Sequence, residues 1–126
     1  MIAYFDTNAL IWLSDGSLSG LSPKIDRLLE EAELLFSPMA LLEVEYLYEI
    51  KRSKRSARDI QNKVEGEMGV RLCDLSWTAV ASAALDEKWT RDPFDRLIVA
   101  NAKVNGFAWL ISADEKMREH YPRTVW

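Results

Sequence analysis

The chain has 126 residues, 48% hydrophobic and 29% charged, with 20 Asp and Glu against 16 Lys and Arg and a net charge of -4. That length and mixture suit one folded domain over residues 1–126 with a substantial core, and exclude the disordered and fibrous classes. The only cysteine, Cys73, and the only histidine, His120, exclude an internal disulfide and a Cys/His zinc cage, and leave carboxylates as the abundant chemistry.

No apolar run approaches the length of a bilayer span, and the N-terminus lacks the basic start and cleavage site of a secretory signal. The expectation is a cytoplasmic protein without membrane contact. Ser-His-Asp chemistry would rest on His120 alone, in a polar segment near the end. The net negative charge weighs against a nucleic-acid partner, since phosphate binding needs cations. The stretch "KRSKRSAR" opposes this, with Lys51, Arg52, Lys54, Arg55 and Arg58 and no acid. It reads either as a solvated helix end and loop or as a phosphate-contacting rim.

In chain order, Ile2 to Phe5 is a short apolar run suited to a strand buried on both faces. A short helix is predicted from Ala9 to Leu13, stopped by Asp15-Gly16. Ser22 and Pro23 open a second helix with Ile25, Leu28 and Leu29 on one face. Leu34 to Phe36 is a second strand. Ser37-Pro38 opens a helix to about Ser53, and Ser56 to Met68 forms another, stopped by Gly69. Val70 to Leu72 is a third strand and Ser76 to Lys88 an alanine-rich helix. Asp92-Pro93 starts a helix that ends near Asn105-Gly106. Ala108 to Ile111 is a fourth strand, Asp114 to His120 a short helix, and "TVW" adds an edge strand. Such alternation predicts an α/β fold: an open, mostly parallel sheet of four or five strands flanked by helices on both faces.

Ligands of open parallel sheets sit beyond the carboxyl ends of the strands. Two predicted strands end there in aspartate, Asp6 after the first and Asp114 after the fourth. Either could simply cap the next helix, although Thr7 and Asn8 could serve that purpose in place of Asp6. Glu43 has Met39, Ala40, Tyr46 and Leu47 one turn away, so it lies in a stripe expected to be buried, where a carboxylate needs a partner or a cation. Glu45 and Glu49 read as solvated face. Asp92 has the position of a helix cap. Asp95 suits the first turn of that helix, yet its neighbours Ile98, Val99 and Ala102 point it inward. Asp6, Glu43, Asp95 and Asp114 thus come from four elements and could close on one pocket. Four clustered carboxylates repel one another unless cations intervene, and all-oxygen ligation selects Mg²⁺ or Mn²⁺. Trp12 and Trp89 read as core or interface, core being the better reading for either singly.

These segments, "DTNALIWL", "SPMALLEVEYL", "RDPFDRLIVANA" and "LISADEKM", resemble the PIN-domain family, and within it the VapC-like toxins of type II toxin–antitoxin pairs. The match covers residues 2 to 118 in the family's order. It implies a Mg²⁺- or Mn²⁺-dependent endoribonuclease that hydrolyses RNA phosphodiester bonds with a metal-activated water and leaves 5′-phosphate and 3′-hydroxyl ends. It implies a homodimer bound and silenced by a cognate antitoxin. The family's acidic site falls on Asp6, Glu43, Asp95 and Asp114, with Asp92 in an outer role. Thr7 matches the hydroxyl expected to orient Asp6 or a water. Asn8 stands where many relatives carry histidine. Arg96 matches a recurrent arginine, for RNA phosphate or a structural ion pair. The basic stretch Lys51 to Arg58 would hold RNA backbone.

Three other readings compete. One is a catalytically silent PIN-like domain that binds protein or RNA. A receiver-type phosphoacceptor needs an acidic pair after its first strand and a lysine after a late one, and a haloacid-dehalogenase-like phosphatase needs Asp-x-Asp. Here the first strand offers only Asp6, residue 8 is Asn, and no lysine follows Ala108 to Ile111.

Overall fold

The apolar run Ile2–Phe5 forms strand β1, and Ala3, Tyr4 and Phe5 are all fully buried in the computed structural model, which describes residues 1–126. Successive strand residues point to opposite faces, so burial of all three requires cover on both sides. The chain continues as helix α1 (Thr7–Ser14), helix α2 (Pro23–Glu31), strand β2 (Glu33–Phe36) and helix α3 (Pro38–Glu49). Helix α4 (Ala57–Glu67), strand β3 (Arg71–Leu72), helix α5 (Trp77–Ala84) and helix α6 (Pro93–Val104) follow. Strand β4 (Trp109–Ile111), helix α7 (Glu115–His120) and strand β5 (Thr124–Val125) complete it. The five strands form one all-parallel sheet in the order β3-β2-β1-β4-β5, flanked by the seven helices. The expected class is observed, and the terminal Thr124–Val125 does add an edge strand.

The order runs outward from β1 in both directions. Phe5 is in register with Phe36 of β2 on one side and with Ile111 of β4 on the other. The connection direction therefore reverses between β1 and β4, and the crevice of such a sheet opens beyond the carboxyl ends of those two strands. A core cluster of 26 buried residues, including Phe5, Phe36, Ile98 and Leu110, holds the strands rigidly beneath that crevice.

The Ser22, Ser37 and Asp92 signals, each followed by proline, mark true helix starts, with each side chain accepting a backbone N–H of the first turn. Three boundaries differ from expectation. Helix α1 starts at Thr7 because Asp6 is itself the cap, its Oδ1 accepting the N–H of Ala9 at 2.8 Å. Helix α3 stops at Glu49, where Lys51 turns left-handed with φ 62° and the Arg52 N–H closes on the Leu47 carbonyl at 2.7 Å. Helix α5 ends at Ala84, and a turn over 85–88 brings Glu87 into the interior. No helix is long and apolar enough to cross a membrane.

Candidate active site

Asp6 stands one step beyond β1. Its N–H donates to the Ile111 carbonyl at 3.1 Å, extending the β1–β4 ladder and fixing the backbone. Its Oδ2 accepts the hydroxyl of Ser112, the residue that follows β4. The same Ser112 Oγ accepts the N–H of Asp114 at 3.0 Å, so one buried serine joins the two strand ends that carry the acids. Asp114 caps α7, its Oδ1 accepting the N–H of Met117 at 2.9 Å, and is exposed. For Asp6 and Asp114 the capping role and the place on the crevice coexist.

Glu43 projects from α3, half-buried, and its Oε1 accepts the Thr7 hydroxyl. Thr7 therefore orients Glu43 and not Asp6. Asp92 caps α6, its Oδ1 accepting the N–H groups of Phe94 at 2.8 Å and Asp95 at 3.3 Å, while Asp95 itself is half-buried in the first turn. All five acids, Asp6, Glu43, Asp92, Asp95 and Asp114, line one cleft of about 370 Å³, together with Thr7, Asn8, Arg52 and the apolar walls of Ile11, Trp12, Leu47, Ile98 and Met117.

The electrostatics record the crowding. Burial pushes the Asp6 carboxyl up to about 6 against the lowering effect of its Ser112 and Ala9 hydrogen bonds, with the charges of Asp114 and Glu43 adding to the rise. Asp95 is raised to about 7, first by burial and then by Asp92, Glu43, Asp114 and Asp6. Burial also raises Glu43, helped by Asp92 and opposed by the Thr7 hydroxyl. Asp6, Glu43 and Asp95 are thus burdened by burial and by their neighbours, the condition a bound cation relieves. Five carboxylates without a thiolate or imidazole make an all-oxygen donor set, which fits a hard divalent ion. As the side chains stand, no three converge closely enough to clasp one ion. Asp6 and Glu43 are held by the hydroxyls of Ser112 and Thr7, Asp92 and Asp114 each cap a helix through one oxygen, and Asp95 is half-buried.

The basic residues divide. Arg52 lines the cleft, whereas Lys51, Lys54, Arg55, Arg58 and Arg96 do not. Arg55 is engaged by the Asp15 carboxylate and by the Ser14 carbonyl at 3.3 Å. Arg58 lines a separate groove between α3 and α4, and Lys51 and Lys54 are exposed. Arg96 donates from Nε to the Thr90 carbonyl at 2.9 Å, holding the loop before α6, and enters no ion pair.

Sequence reasoning missed Ser112, whose signal was a polar residue in a position continuous with a buried strand. It also missed Glu45, expected in solvent, whose Oε1 accepts the N–H of Ala57 at 3.1 Å and anchors the start of α4. Trp12 and Trp89 are half-buried.

A family model for the PIN domain matches residues 3–121. The fold is shared with a toxin-antitoxin complex from Klebsiella pneumoniae, at 21% identity and a TM-score of 0.63 over 98% of this chain and 96% of that one. It is also shared with VapBC2 from Rickettsia felis, solved bound to a DNA fragment from its promoter, at 17% identity and a TM-score of 0.65 over 99% and 96% of the two chains. Among curated proteins none matches significantly. With nearly the whole chain inside one family model, and with its acids gathered at the carboxyl edge of a five-stranded parallel sheet, the protein belongs to the PIN domain family.

Proposed function

We propose that the protein is a Mg²⁺- or Mn²⁺-dependent endoribonuclease and the toxin of a toxin–antitoxin pair. One observation carries this reading: Asp6, Glu43, Asp95 and Asp114 reach one cleft from four elements, and burial with mutual repulsion raises three of them. Asp6 and Asp95 would hold the principal ion, with Glu43 and Asp114 completing the set. A bound hard ion supplies phosphate neutralisation and water activation for in-line displacement.

The chain's own residues do the rest. The β1–β4 ladder and Ser112 keep Asp6 in one place, and Thr7 fixes the carboxylate of Glu43, so two acids are set before substrate arrives. Asp92 orders the first turn of α6 and so places Asp95. Water adds to phosphorus, the P–O3′ bond breaks, and the leaving oxygen takes up a proton, giving 5′-phosphate and 3′-hydroxyl ends. No side chain serves as nucleophile.

The toxin reading is supported by the two structural neighbours, both solved as toxin–antitoxin assemblies. A homodimer is supported by Leu42, Tyr46 and Ile50, exposed at 57%, 50% and 42% along one face of α3 and the turn after it.

The test is cleavage of labelled RNA by purified protein with Mg²⁺, Mn²⁺ or chelator. Divalent-dependent cleavage that Asp6→Asn abolishes is expected. Chelator-resistant cleavage by Asp6→Asn contradicts the metal mechanism, and no cleavage of any RNA with either ion favours a binding-only domain.

A further inference from the structure

Arg52 is the only cation lining a cleft that five carboxylates share. The protein's ion pairs are Arg27–Glu31, Arg55–Asp15, Arg71–Glu33 and Lys103–Glu87, so Arg52 is paired with none of those acids. Its guanidinium also donates no hydrogen bond to the protein, although its neighbour Arg55 makes several. Arg52 owes its place to the left-handed Lys51, a conformation that costs a non-glycine residue about 1 kcal/mol or more. That turn ends α3 and directs the chain back across Leu47, which lines the same cleft.

Arg55 then straps this loop to the C-terminal end of α1 through Asp15 and Ser14. The same end of α1 carries Trp12. Its indole packs on Trp126 with ring centroids 5.2 Å apart and planes at 49°, and its remaining surface lines the cleft. A packed aromatic side chain and an uncommitted guanidinium therefore both line the cleft that holds the acids, on two segments tied together by a strap that uses neither.

We propose that Trp12 and Arg52 form a one-nucleotide subsite beside the acidic centre, the indole stacking on a base and the guanidinium holding that nucleotide's phosphate. The inference rests on the nuclease reading above and adds to it two substrate-binding residues. A planar fork on a phosphate oxygen pair and a base on an aromatic face are the two contacts a single nucleotide offers without regard to sequence. A base stacked on a protein side chain has left its own helical stack, so the subsite accepts an unpaired strand and not a duplex interior.

The test is equilibrium binding of a short labelled RNA, single-stranded or in duplex, in Ca²⁺ and over a range of salt, with strand integrity checked on a gel and cleavage followed separately. Trp12→Ala is expected to weaken single-strand binding about ten-fold while leaving duplex binding nearly unchanged, and Trp12→Phe to retain most of the affinity. Arg52→Ala is expected to reduce the slope of log affinity against log salt by about 0.7, the value for one phosphate contact on a single strand. The loss should fall on KM and not on kcat, because the contact is present before and during reaction. Arg27→Ala removes a charge outside the cleft and serves as the control. If Trp12→Ala does not fold, Arg52→Ala, on an exposed loop, still decides. Wild-type affinity and salt slope in Arg52→Ala, in a protein that binds and cuts RNA, overturns the subsite alone. A wild-type protein that neither binds nor cuts RNA overturns the nuclease reading and the subsite with it.

Discussion

Asp6 accepts two hydrogen bonds, from Ala9 and Ser112, and its carboxyl is still pushed up to about 6 because burial outweighs them. In the unfolded chain the group titrates at 3.8, so folding favours its protonated form. That contribution to stability is complete below about pH 4 and is lost as pH rises through 6, an effect on the order of 3 kcal/mol. In chelator, thermal denaturation should therefore show Tm falling between pH 5 and about 7.5, with Glu43 and Asp95 acting in the same direction. Asp6→Asn keeps a cap acceptor for Ala9 and removes the buried charge, so it should melt higher than wild type near pH 7.5 and lose that advantage toward pH 4. Ser112→Ala has the opposite effect. It takes away a bond that stabilises the ionised Asp6, and should cost about 1–2 kcal/mol near neutral pH and less at pH 5, measured by denaturant titration. The four acids were legible together: capping left Asp95 facing inward for no reason, Glu43 lay in a buried stripe, and Asp6 and Asp114 followed strands on the same sheet edge. Ser112 and the Thr7–Glu43 bond were not, since they depend on which strand ends lie side by side and how α1 faces α3.

At the scale of elements, the helix starts were readable and two of the ends were not. A serine or aspartate before proline satisfies first-turn N–H groups wherever it occurs, so Ser22, Ser37 and Asp92 carried their own signal. The end of α3 rests on Lys51 adopting a left-handed turn, a position where glycine is usual, and the sequence there looks like continuing helix. Lys51→Gly should raise stability by a few tenths to about 1 kcal/mol, and a loss on denaturant titration would show that the lysine side chain contributes there. Helix α5 ends early so that Glu87 can turn inward, where Lys103 of α6 pairs with it and Trp89 donates to its Oε2 at 2.6 Å. Trp89 in turn stacks on His120 at the end of α7, 5.3 Å between ring centroids and 9° between planes. Glu87 thus joins the loop before α6 to the helices that bear Asp95 and Asp114. Glu87→Ala leaves Lys103 and the Trp89 indole N–H without their acceptor, and should cost about 2–4 kcal/mol in denaturant titration.

For the whole molecule, alternation of apolar runs and helical stripes sufficed for the α/β class, while the order β3-β2-β1-β4-β5 needed the three-dimensional pairing. That order makes the site: β1 lies at the centre, β4 beside it, and the reversal between them opens the crevice into which Asp6 and Asp114 extend. The apolar face of Leu42, Tyr46 and Ile50 lies outside that crevice, so self-association and catalysis should separate. Leu42→Glu, in the separate groove between α3 and α4, is expected to shift the protein toward monomer in sedimentation without altering Mn²⁺ affinity. The central claim, that acids from four elements make one cation site, is tested most directly by calorimetric titration of Mn²⁺ near pH 7.5. Wild type should bind Mn²⁺ with release of protons from the raised carboxyls, and Asp6→Asn and Asp95→Asn should each weaken binding at least about ten-fold. Equal Mn²⁺ affinity in wild type and both variants would contradict it.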